Sequence, residues 1–253
     1  AIGLGRPAAQ LGRALRARPG DAAFAAAAGE RGVGVSPMPT PSRRGALKIA
    51  LGVLAAGVSL AWWATRRPPA VLVQSQCKGA VINAKVLVAY ATRAGSTGEI
   101  ANAIGQQLCA DGYEADVKEV SAVTSLEGYN AVVLGSAVRY GNWLPEMLSF
   151  MQLHKGALGH RPLAYFTACN KAKDQSPASL AEVKTYSRTA RDLVKPPSEA
   201  FLAGKLDPAT LSWFERFAVK MVDSSYGDFR DWTAIKSWAK SLAPLLRQTQ
   251  GGT

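Results

Sequence analysis

A short run of hydroxyl-bearing residues separates an apolar, strand-like segment from a segment with helical spacing. The run TRAGST (residues 92–97) combines three hydroxyl groups with a glycine that permits a tight turn. Hydroxyls and backbone N–H groups at the N-terminus of a helix together form a phosphate-binding site. An N-capping role for Ser96 or Thr97 is the alternative interpretation. The predicted phosphate-binding residues are Thr92, Arg93, Ala94, Gly95, Ser96 and Thr97.

An aromatic loop follows the next apolar segment (AVVLGS, residues 131–136). It places Tyr140 and Trp143 just beyond a strand end, where aromatic side chains can stack on a flat isoalloxazine ring. Backbone groups around Gly141 can approach the polar edge of such a ring. The alternative is that both aromatic side chains only cover the top of the sheet. The predicted ring-binding residues of this loop are Ser136, Ala137, Val138, Arg139, Tyr140, Gly141 and Asn142.

A third loop, TACN (residues 167–170), also follows a strand-like segment. We expect Thr167 and Cys169 to touch the ring from its other side. No acid/base pair stands out in the sequence, as expected where a flavin carries the redox chemistry and the protein orients it.

The cysteines and histidines do not predict a metal site or a disulfide framework. Cys77, Cys109 and Cys169 are widely spaced, and the two histidines, His154 and His160, have no cysteine at ligand spacing. We expect Cys109 and Cys169 to be buried, inert thiols, because free cysteines are commonly buried.

Strand-like apolar runs alternate with helical spacing from Lys85 to Arg247. The predicted strands are 85–91, 115–120, 131–136, 162–169 and 199–203. The predicted helices are 97–110, 144–154, 178–193, 209–222 and 232–247. Alternation of this kind predicts an α/β fold with a doubly wound, five-stranded parallel sheet, which binds its ligand at the carboxyl ends of the strands.

The N-terminal third differs in composition. Residues 1–41 are predicted to be a disordered extension, 42–67 a transmembrane or signal-anchor helix, 68–84 a linker, and 248–253 a tail. The uncharged run Ile49–Thr65 would rise about 25 Å as a helix, against a hydrocarbon core of about 30 Å. A buried helix of a soluble protein is the alternative. The string SRRGALK (42–48) resembles a twin-arginine export signal.

The basic charge is concentrated in that N-terminal third. Residues 1–84 carry 11 Lys and Arg against 2 Asp and Glu, whereas the remaining residues carry 19 against 16. A nucleic-acid-binding protein usually has its basic face on the folded domain. The distribution instead favours a membrane-flanking or targeting segment and argues against nucleic acid as a partner.

The two loops together resemble the paired fingerprints of flavodoxin-domain proteins of the menaquinone-dependent protoporphyrinogen oxidase type. The matching segments are YATRAGST (90–97) and GSAVRYG (135–141). FLAGK (201–205), WFERF (213–217) and GDFRDW (227–232) are similar to the C-terminal part of that family. The resemblance covers about Lys85 to Leu246 and implies a flavodoxin-like fold with FMN as cofactor. It also implies a porphyrinogen as electron donor and a membrane quinone as acceptor.

The predicted helix 209–222 is additional to an ordinary flavodoxin. Leu211, Phe214, Ala218 and Met221 form one stripe, with Phe217 beside it. One hypothesis is that this helix docks on a membrane or frames a groove for a quinone or porphyrin. The alternative is a helix packed on the sheet.

These features predict a membrane-associated, FMN-dependent oxidoreductase, with protoporphyrinogen IX dehydrogenase (quinone) of haem biosynthesis as its specific form. A flavodoxin-like electron carrier that serves a membrane redox chain, and a flavin-free interaction domain, are the alternatives. The expected location is the cell membrane, on a side that the flanking charges do not settle. Export by the twin-arginine route would weaken a role in haem synthesis.

Overall fold

The computed structural model describes residues 43–65, 69–79, 82, 84–221 and 225–247. The chain divides into two compact units, residues 1–54 and 55–253. The predicted extension 1–41 and the predicted tail 248–253 lie outside the described residues.

The described helices and strands follow the predicted alternation from Lys85 onward. The helices are α1 (Arg43–Thr65), α2 (Ser96–Ala110), α3 (Pro145–Leu153), α4 (Lys155–Gly159), α5 (Pro177–Thr185), α6 (Arg188–Leu193), α7 (Trp213–Met221), α8 (Trp232–Ser241) and α9 (Ala243–Arg247). The strands are β1 (Ser75–Cys77), β2 (Lys85–Ala91), β3 (Glu114–Glu119), β4 (Ala131–Arg139), β5 (Asn142–Trp143), β6 (Leu163–Ala168), β7 (Ser198–Leu202), β8 (Lys205–Leu206) and β9 (Gly227–Asp228).

The N-terminal hydrophobic helix is present as α1. Large apolar side chains along it, such as Leu51, Val58 and Trp62, are exposed. Within the part of the chain that the structure describes, no helix combines the length and the apolar character needed to cross a membrane. The expectation of a membrane-spanning segment at 42–67 is therefore not supported.

Five parallel strands form the centre of the main sheet, in the order β3-β2-β4-β6-β7. The first strand of this set lies between the second and the third, which is the flavodoxin-like doubly wound order and confirms the predicted fold class. Two short antiparallel strands extend the sheet: β1 pairs with β3, and β5 pairs with β4. The sheet therefore has seven described strands rather than the predicted five.

Continuous apolar runs form the central strands because both faces of the sheet are covered. In β2, Val86, Val88 and Tyr90 belong to one core layer with residues of α2 and α8. Leu87, Ala89 and Ala91 belong to the opposite layer with residues of α3. This alternation places helices on both faces and leaves the carboxyl ends of the strands open for a site.

The predicted linker 68–84 contains a short strand that was not predicted from the sequence. Residues 71–77, here called the N-terminal strap, end in β1 and run beside α2. The strap is fastened by a disulfide between Cys77 and Cys109, whose Cα atoms are 6.2 Å apart. The prediction of a free, inert thiol at Cys109 is therefore wrong, because the pairing of β1 with β3 brings Cys77 beside α2.

Two predicted helices are interrupted. The predicted helix 178–193 is α5 and α6, separated at Tyr186 and Ser187. Ser187 is fully buried, and its hydroxyl donates a hydrogen bond to the Glu199 carboxylate, which Arg191 also contacts at 2.8 Å. The predicted last helix 232–247 is likewise α8 and α9. The first of these breaks matters for the site, because it brings Tyr186 to the carboxyl edge of the sheet.

An excursion (residues 207–226) leaves the main fold after β7 and carries α7. Its base is closed by the antiparallel pair β8 and β9. α7 begins at Trp213 rather than at the predicted Ala209, because Ser212 and Glu215 form a capping box. The Ser212 backbone N–H donates to Glu215 Oε2 at 3.1 Å, and the Glu215 N–H donates to Ser212 Oγ at 3.3 Å.

Candidate functional site

The loop between β2 and α2, residues 92–97, forms what we call the phosphate corner. Gly95 precedes α2 with a φ of +91°, a conformation that favours glycine. The Thr92 hydroxyl accepts a hydrogen bond from the Gly95 N–H at 3.0 Å and so fixes the turn. No side chain caps the helix, so the N-capping alternative for Ser96 or Thr97 is wrong. The uncapped N-terminus of α2 is therefore available to an anion.

Thr97 supplies a direct test of whether a phosphate group fits this corner. Its side chain is 1% exposed, yet its Oγ1 has no hydrogen-bond partner in the described part of the chain. Buried hydroxyls are rarely left without a partner, since desolvation then goes uncompensated. Thr97 also lines the cavity at the sheet edge. A phosphate group bound there would satisfy the Thr97 hydroxyl, so the corner fits the phosphate of FMN.

The loop after β4 is a tight hairpin, here called the rim hairpin (residues 139–142). Tyr140 and Gly141 have φ values of 51° and 72°, as the two central residues of a type I′ turn require. Arg139 and Asn142 are the paired residues on either side of the turn. The Asn142 side chain donates a hydrogen bond to the Tyr140 carbonyl at 3.2 Å. The turn leaves the Tyr140 ring 84% exposed at the edge of the cavity.

Three polar or aromatic side chains that were expected to face a flavin ring are instead buried within the fold. Trp143 is 2% exposed, packs against Tyr165 with the two ring planes tilted by 55°, and donates a hydrogen bond from Nε1 to Thr167 Oγ1 at 2.9 Å. Ser136 is fully buried, and its hydroxyl accepts from the Leu144 N–H at 3.0 Å. The prediction that Trp143, Ser136 and Thr167 face a ligand is wrong, because these side chains join the rim hairpin to the sheet.

A cavity of about 580 Å³ lies at the carboxyl edge of the sheet, within the range for small-molecule sites. The structure brings most predicted site residues together there. Those that line the cavity are Thr92, Arg93, Ala94, Ser96, Thr97, Ala137, Val138, Arg139, Tyr140 and Cys169. Those that do not line it are Gly95, Ser136, Gly141, Asn142 and Thr167. Gly95, Gly141 and Asn142 shape the two turns, whereas Ser136 and Thr167 are structural.

The cavity is also lined by residues outside the three loops that were predicted from the sequence. The further lining residues come from the segment after β6, from the helix break at Tyr186, and from the chain after β7. The last group includes Gly204, Leu206 and, in the excursion, Leu211, Phe214 and Val219. One signal was available: the segment after β7 also follows the carboxyl end of a parallel strand. Tyr186 carried no comparable signal, because only the tertiary break between α5 and α6 exposes it.

Cationic side chains predominate among the charged residues that line the cavity. Arg93 pairs with Glu146 at 2.5 Å, Lys171 with Glu182 at 3.1 Å, and Lys205 with Asp207 at 3.0 Å. Arg139 lies over the Tyr140 ring, with its Cζ 5.0 Å from the ring centre. Glu215 is the one carboxylate among the lining residues, and its Oε2 accepts hydrogen bonds within the capping box. Of the cations that line the cavity, Arg139 is therefore the one without a carboxylate partner in the described part of the chain, so its charge is available to an anionic group.

Two ionisable side chains of the cavity remain protonated near neutral pH. Burial raises the pKa of the Cys169 thiol to about 11. The residue is nevertheless only half-buried and lines the cavity, unlike the fully buried thiol that was expected. Burial raises the pKa of Tyr186 well above its ordinary value, and a hydrogen bond from its hydroxyl to Glu182 raises this pKa further. Neither group is suited to act as a base at this site.

A sequence profile of the flavodoxin domain family matches residues 87–233, more than half of the chain. The chain belongs to this family, which implies FMN as its cofactor. It is an FMN-dependent oxidoreductase of the flavodoxin type, as the resemblance implied.

Two relatives carry a more specific name. The chain is 26% identical over 175 residues to protoporphyrinogen IX dehydrogenase [quinone] of Escherichia coli K12, covering 64% of this chain and 96% of that protein. It is 25% identical over 175 residues to the protein of the same name from Leishmania major, covering 64% of this chain and 75% of that protein. Among solved structures, a flavodoxin from Pseudomonas aeruginosa matches with a TM-score of 0.44 and 14% identity, covering 64% of this chain and 99% of that chain.

Proposed function

We propose that this chain is a membrane-associated FMN oxidoreductase that dehydrogenates protoporphyrinogen IX, or a closely similar porphyrinogen, with a quinone as electron acceptor. One observation carries the proposal: the cavity bounded by the phosphate corner and the rim hairpin continues to the apolar side chains Leu211, Phe214 and Val219 of the excursion. An electron carrier that exchanges electrons at an exposed flavin edge does not need an apolar surface of this kind beside the flavin. The two relatives named protoporphyrinogen IX dehydrogenase [quinone] support the same substrate pair.

The described side chains suit binding and orientation rather than proton transfer. When bound, FMN supplies the redox chemistry and accepts the electrons of the substrate. The phosphate corner would hold its phosphate through Thr97 and the N-terminus of α2. The Tyr140 ring would lie against a flat ring system. Phe214 and its apolar neighbours would exclude water and contact the apolar body of the substrate.

An assay of the purified chain tests this proposal. The protein is loaded with FMN in detergent, its visible spectrum is recorded, and protoporphyrinogen oxidation is followed with a menaquinone analogue. We expect turnover by the wild type and a raised KM for Phe214→Ala with unchanged FMN affinity. Trp213→Ala is the matched control, because the adjacent Trp213 side chain is exposed and does not line the cavity. A yellow protein that leaves the porphyrinogen unoxidised would favour the electron carrier instead.

Membrane association is the second part of the proposal. On α7, Trp213 and Phe217 stack on each other in solvent with ring centres 6.3 Å apart, and Met221 is 72% exposed. Arg216 and Lys220 are exposed on the same helix. An amphipathic helix with exposed aromatic and basic side chains lies in a membrane interface rather than across it. The exposed large side chains of α7 also argue against the alternative of a helix packed on the sheet.

Flotation with vesicles that contain anionic lipid measures this association. We expect the wild-type chain to float and the double variant Trp213→Ser, Phe217→Ser to float less. Leu153→Ser is the control, because Leu153 is 79% exposed but belongs to α3. Equal flotation of both variants would assign the association to another part of the chain.

An extracytoplasmic location at the membrane is the third part. The twin-arginine string at 42–48 favours export of a folded flavoprotein, and the Cys77–Cys109 disulfide suits an oxidising compartment. Export would separate the protein from cytoplasmic haem synthesis, so location and substrate need independent tests. Thiols are blocked in intact cells and the peptides are identified by mass spectrometry. We expect an intact disulfide that is lost in the export-impaired variant Arg43→Lys, Arg44→Lys; free thiols in wild-type cells would contradict this location.

A further inference from the structure

The charged side chains of the cavity differ in how they are compensated. Arg93, Lys171 and Lys205 each form an ion pair with a carboxylate. Arg139 forms no ion pair with any carboxylate in the described part of the chain. Its guanidinium rests on the Tyr140 ring, and Nη2 is 3.5 Å from the Tyr140 hydroxyl. An arginine that faces an aromatic ring keeps most of its five N–H donors available to an incoming anion.

The rim hairpin holds this arginine in a defined place. Arg139 is the last residue of β4 and pairs with Asn142 across the type I′ turn. The hairpin is joined to the sheet through the adjacent Trp143, whose Nε1 donates a hydrogen bond to Thr167 Oγ1 at 2.9 Å. The Trp143 backbone N–H also donates to the Tyr186 carbonyl at 3.2 Å. Arg139 is therefore presented on a supported turn rather than on a loose loop.

The phosphate of FMN is not the natural partner of Arg139. The phosphate corner already offers a site for that phosphate, because Thr97 and the uncapped N-terminus of α2 are available to hydrogen-bond an anion. Arg139 belongs to the rim hairpin, a different border of the cavity from the corner. The remaining anion is one on the second reactant, and a planar guanidinium matches a carboxylate through two parallel hydrogen bonds.

We infer that Arg139 selects a substrate that carries a carboxylate on an apolar body. This inference rests on the proposed function and names the substrate feature that the same site recognises. The apolar body contacts the excursion through Phe214 and Leu211, while the carboxylate binds Arg139 at the rim. A quinone, which has no carboxylate, does not depend on Arg139.

Equilibrium binding to the FMN-loaded protein tests the inference without requiring turnover. The probes are protoporphyrin IX and its dimethyl ester, which share the ring but differ in charge, and binding is followed by porphyrin fluorescence in detergent. We expect the wild type to prefer the free acid and Arg139→Gln to weaken acid binding about tenfold, the loss of one charge-assisted contact. Ester binding should change less than twofold. Arg139→Lys should recover part of the preference, because lysine keeps the charge but loses the bidentate geometry.

The control is Arg188→Gln, which removes the same charge from an exposed position on α6 that does not line the cavity. FMN titration of each variant verifies that the cofactor site is intact. Equal loss of acid and ester binding in Arg139→Gln would assign Arg139 a packing role and overturn the inference. A parallel loss of FMN affinity would assign it to the cofactor and overturn it as well. An Arg139-dependent preference in a protein that oxidises no porphyrinogen would refute the proposed function and leave this inference standing.

Discussion

The phosphate corner and the rim hairpin border the same cavity but are built in opposite ways. The base of the corner is buried, although Arg93 at its edge is exposed. Thr97 is 1% exposed, and the Tyr90 ring packs so closely under α2 that a Cβ on Gly98 would lie 2.9 Å from it. The rim exposes Tyr140 in a backbone conformation that non-glycine residues rarely adopt. This contrast indicates that the corner is a rigid site for one phosphate group. The rim, by contrast, exposes side chains that can contact the second reactant.

The strap explains part of the rigidity of the corner. The Tyr90 hydroxyl accepts from the Val73 N–H at 2.8 Å and donates to the Val73 carbonyl at 2.9 Å. The Val71 carbonyl lies 3.4 Å from where a Cβ of Gly95 would be. The strap thus touches both the strand and the turn that form the corner, and the disulfide fixes its far end.

The largest effect is expected from removing that disulfide. Cys77→Ser should lower the free energy of unfolding by about 3–4 kcal/mol, because the bond closes a loop of 32 residues. Urea denaturation of the FMN-free protein measures the change. Cys169→Ser is the control, since Cys169 is not in the disulfide. A loss below about 1 kcal/mol would show that the strap is held by its hydrogen bonds alone.

A smaller loss is expected at Arg230, which connects α2 to β9, the strand that follows the excursion. Its guanidinium is 5% exposed and contacts Glu99 of α2 and Asp228 of β9, both at 2.6 Å. Arg230→Met should cost about 2 kcal/mol of stability, a reduced value because both carboxylates are partly exposed. Limited proteolysis should also cleave residues 207–226 faster. Lys236→Met on α8 is the control, and unchanged cleavage would show that the excursion is held elsewhere.

Thr97 tests the corner itself. Thr97→Val removes the unpartnered hydroxyl while nearly preserving shape, so FMN affinity should fall about tenfold, which corresponds to about 1.4 kcal/mol. The FMN-free variant should be as stable as the wild type or more stable, because a buried polar group without a partner is removed. Fluorescence titration with FMN and urea denaturation measure the two quantities. Thr189→Val at an exposed position of α6 is the control. Unchanged affinity would place the phosphate elsewhere.

The contrast between the two regions also explains what the sequence could predict. The corner was predicted because its signals are local: an apolar run, a glycine turn and the start of a helix are contiguous in 85–110. The roles of Trp143 and Tyr140 were not separable, because both are aromatic residues after a strand. The type I′ turn decides which one is buried, and the Tyr-Gly pair is a weaker signal for that turn than Asn-Gly.

Two other differences, the missed strand β1 and the start of α7, had different causes. β1 has three residues, two of them polar, and shows no alternation of apolar and polar residues that would predict a strand. The pairing of Cys77 with Cys109, which depends on this strand, could therefore not be predicted from the sequence. The start of α7 was readable, since Ser212 and Glu215 have capping-box spacing, but the apolar stripe that begins at Leu211 suggested an earlier start. Tertiary pairing determined the first outcome, whereas a local capping box determined the second.

The smallest expected effect separates the strain of the rim from its use. Tyr140 adopts a φ of 51°, which costs a non-glycine residue about 1 kcal/mol, so Tyr140→Gly should leave stability unchanged or raise it by up to about 1 kcal/mol. The same variant should bind FMN less tightly, because the exposed ring is lost. Tyr140→Phe keeps both ring and strain and should bind FMN like the wild type. If Tyr140→Gly destabilised the protein and bound FMN unchanged, the ring would serve the fold. If instead it gained stability and lost affinity, the strained backbone would be maintained for the ligand, whereas the corner accommodates its own positive φ with a glycine, Gly95.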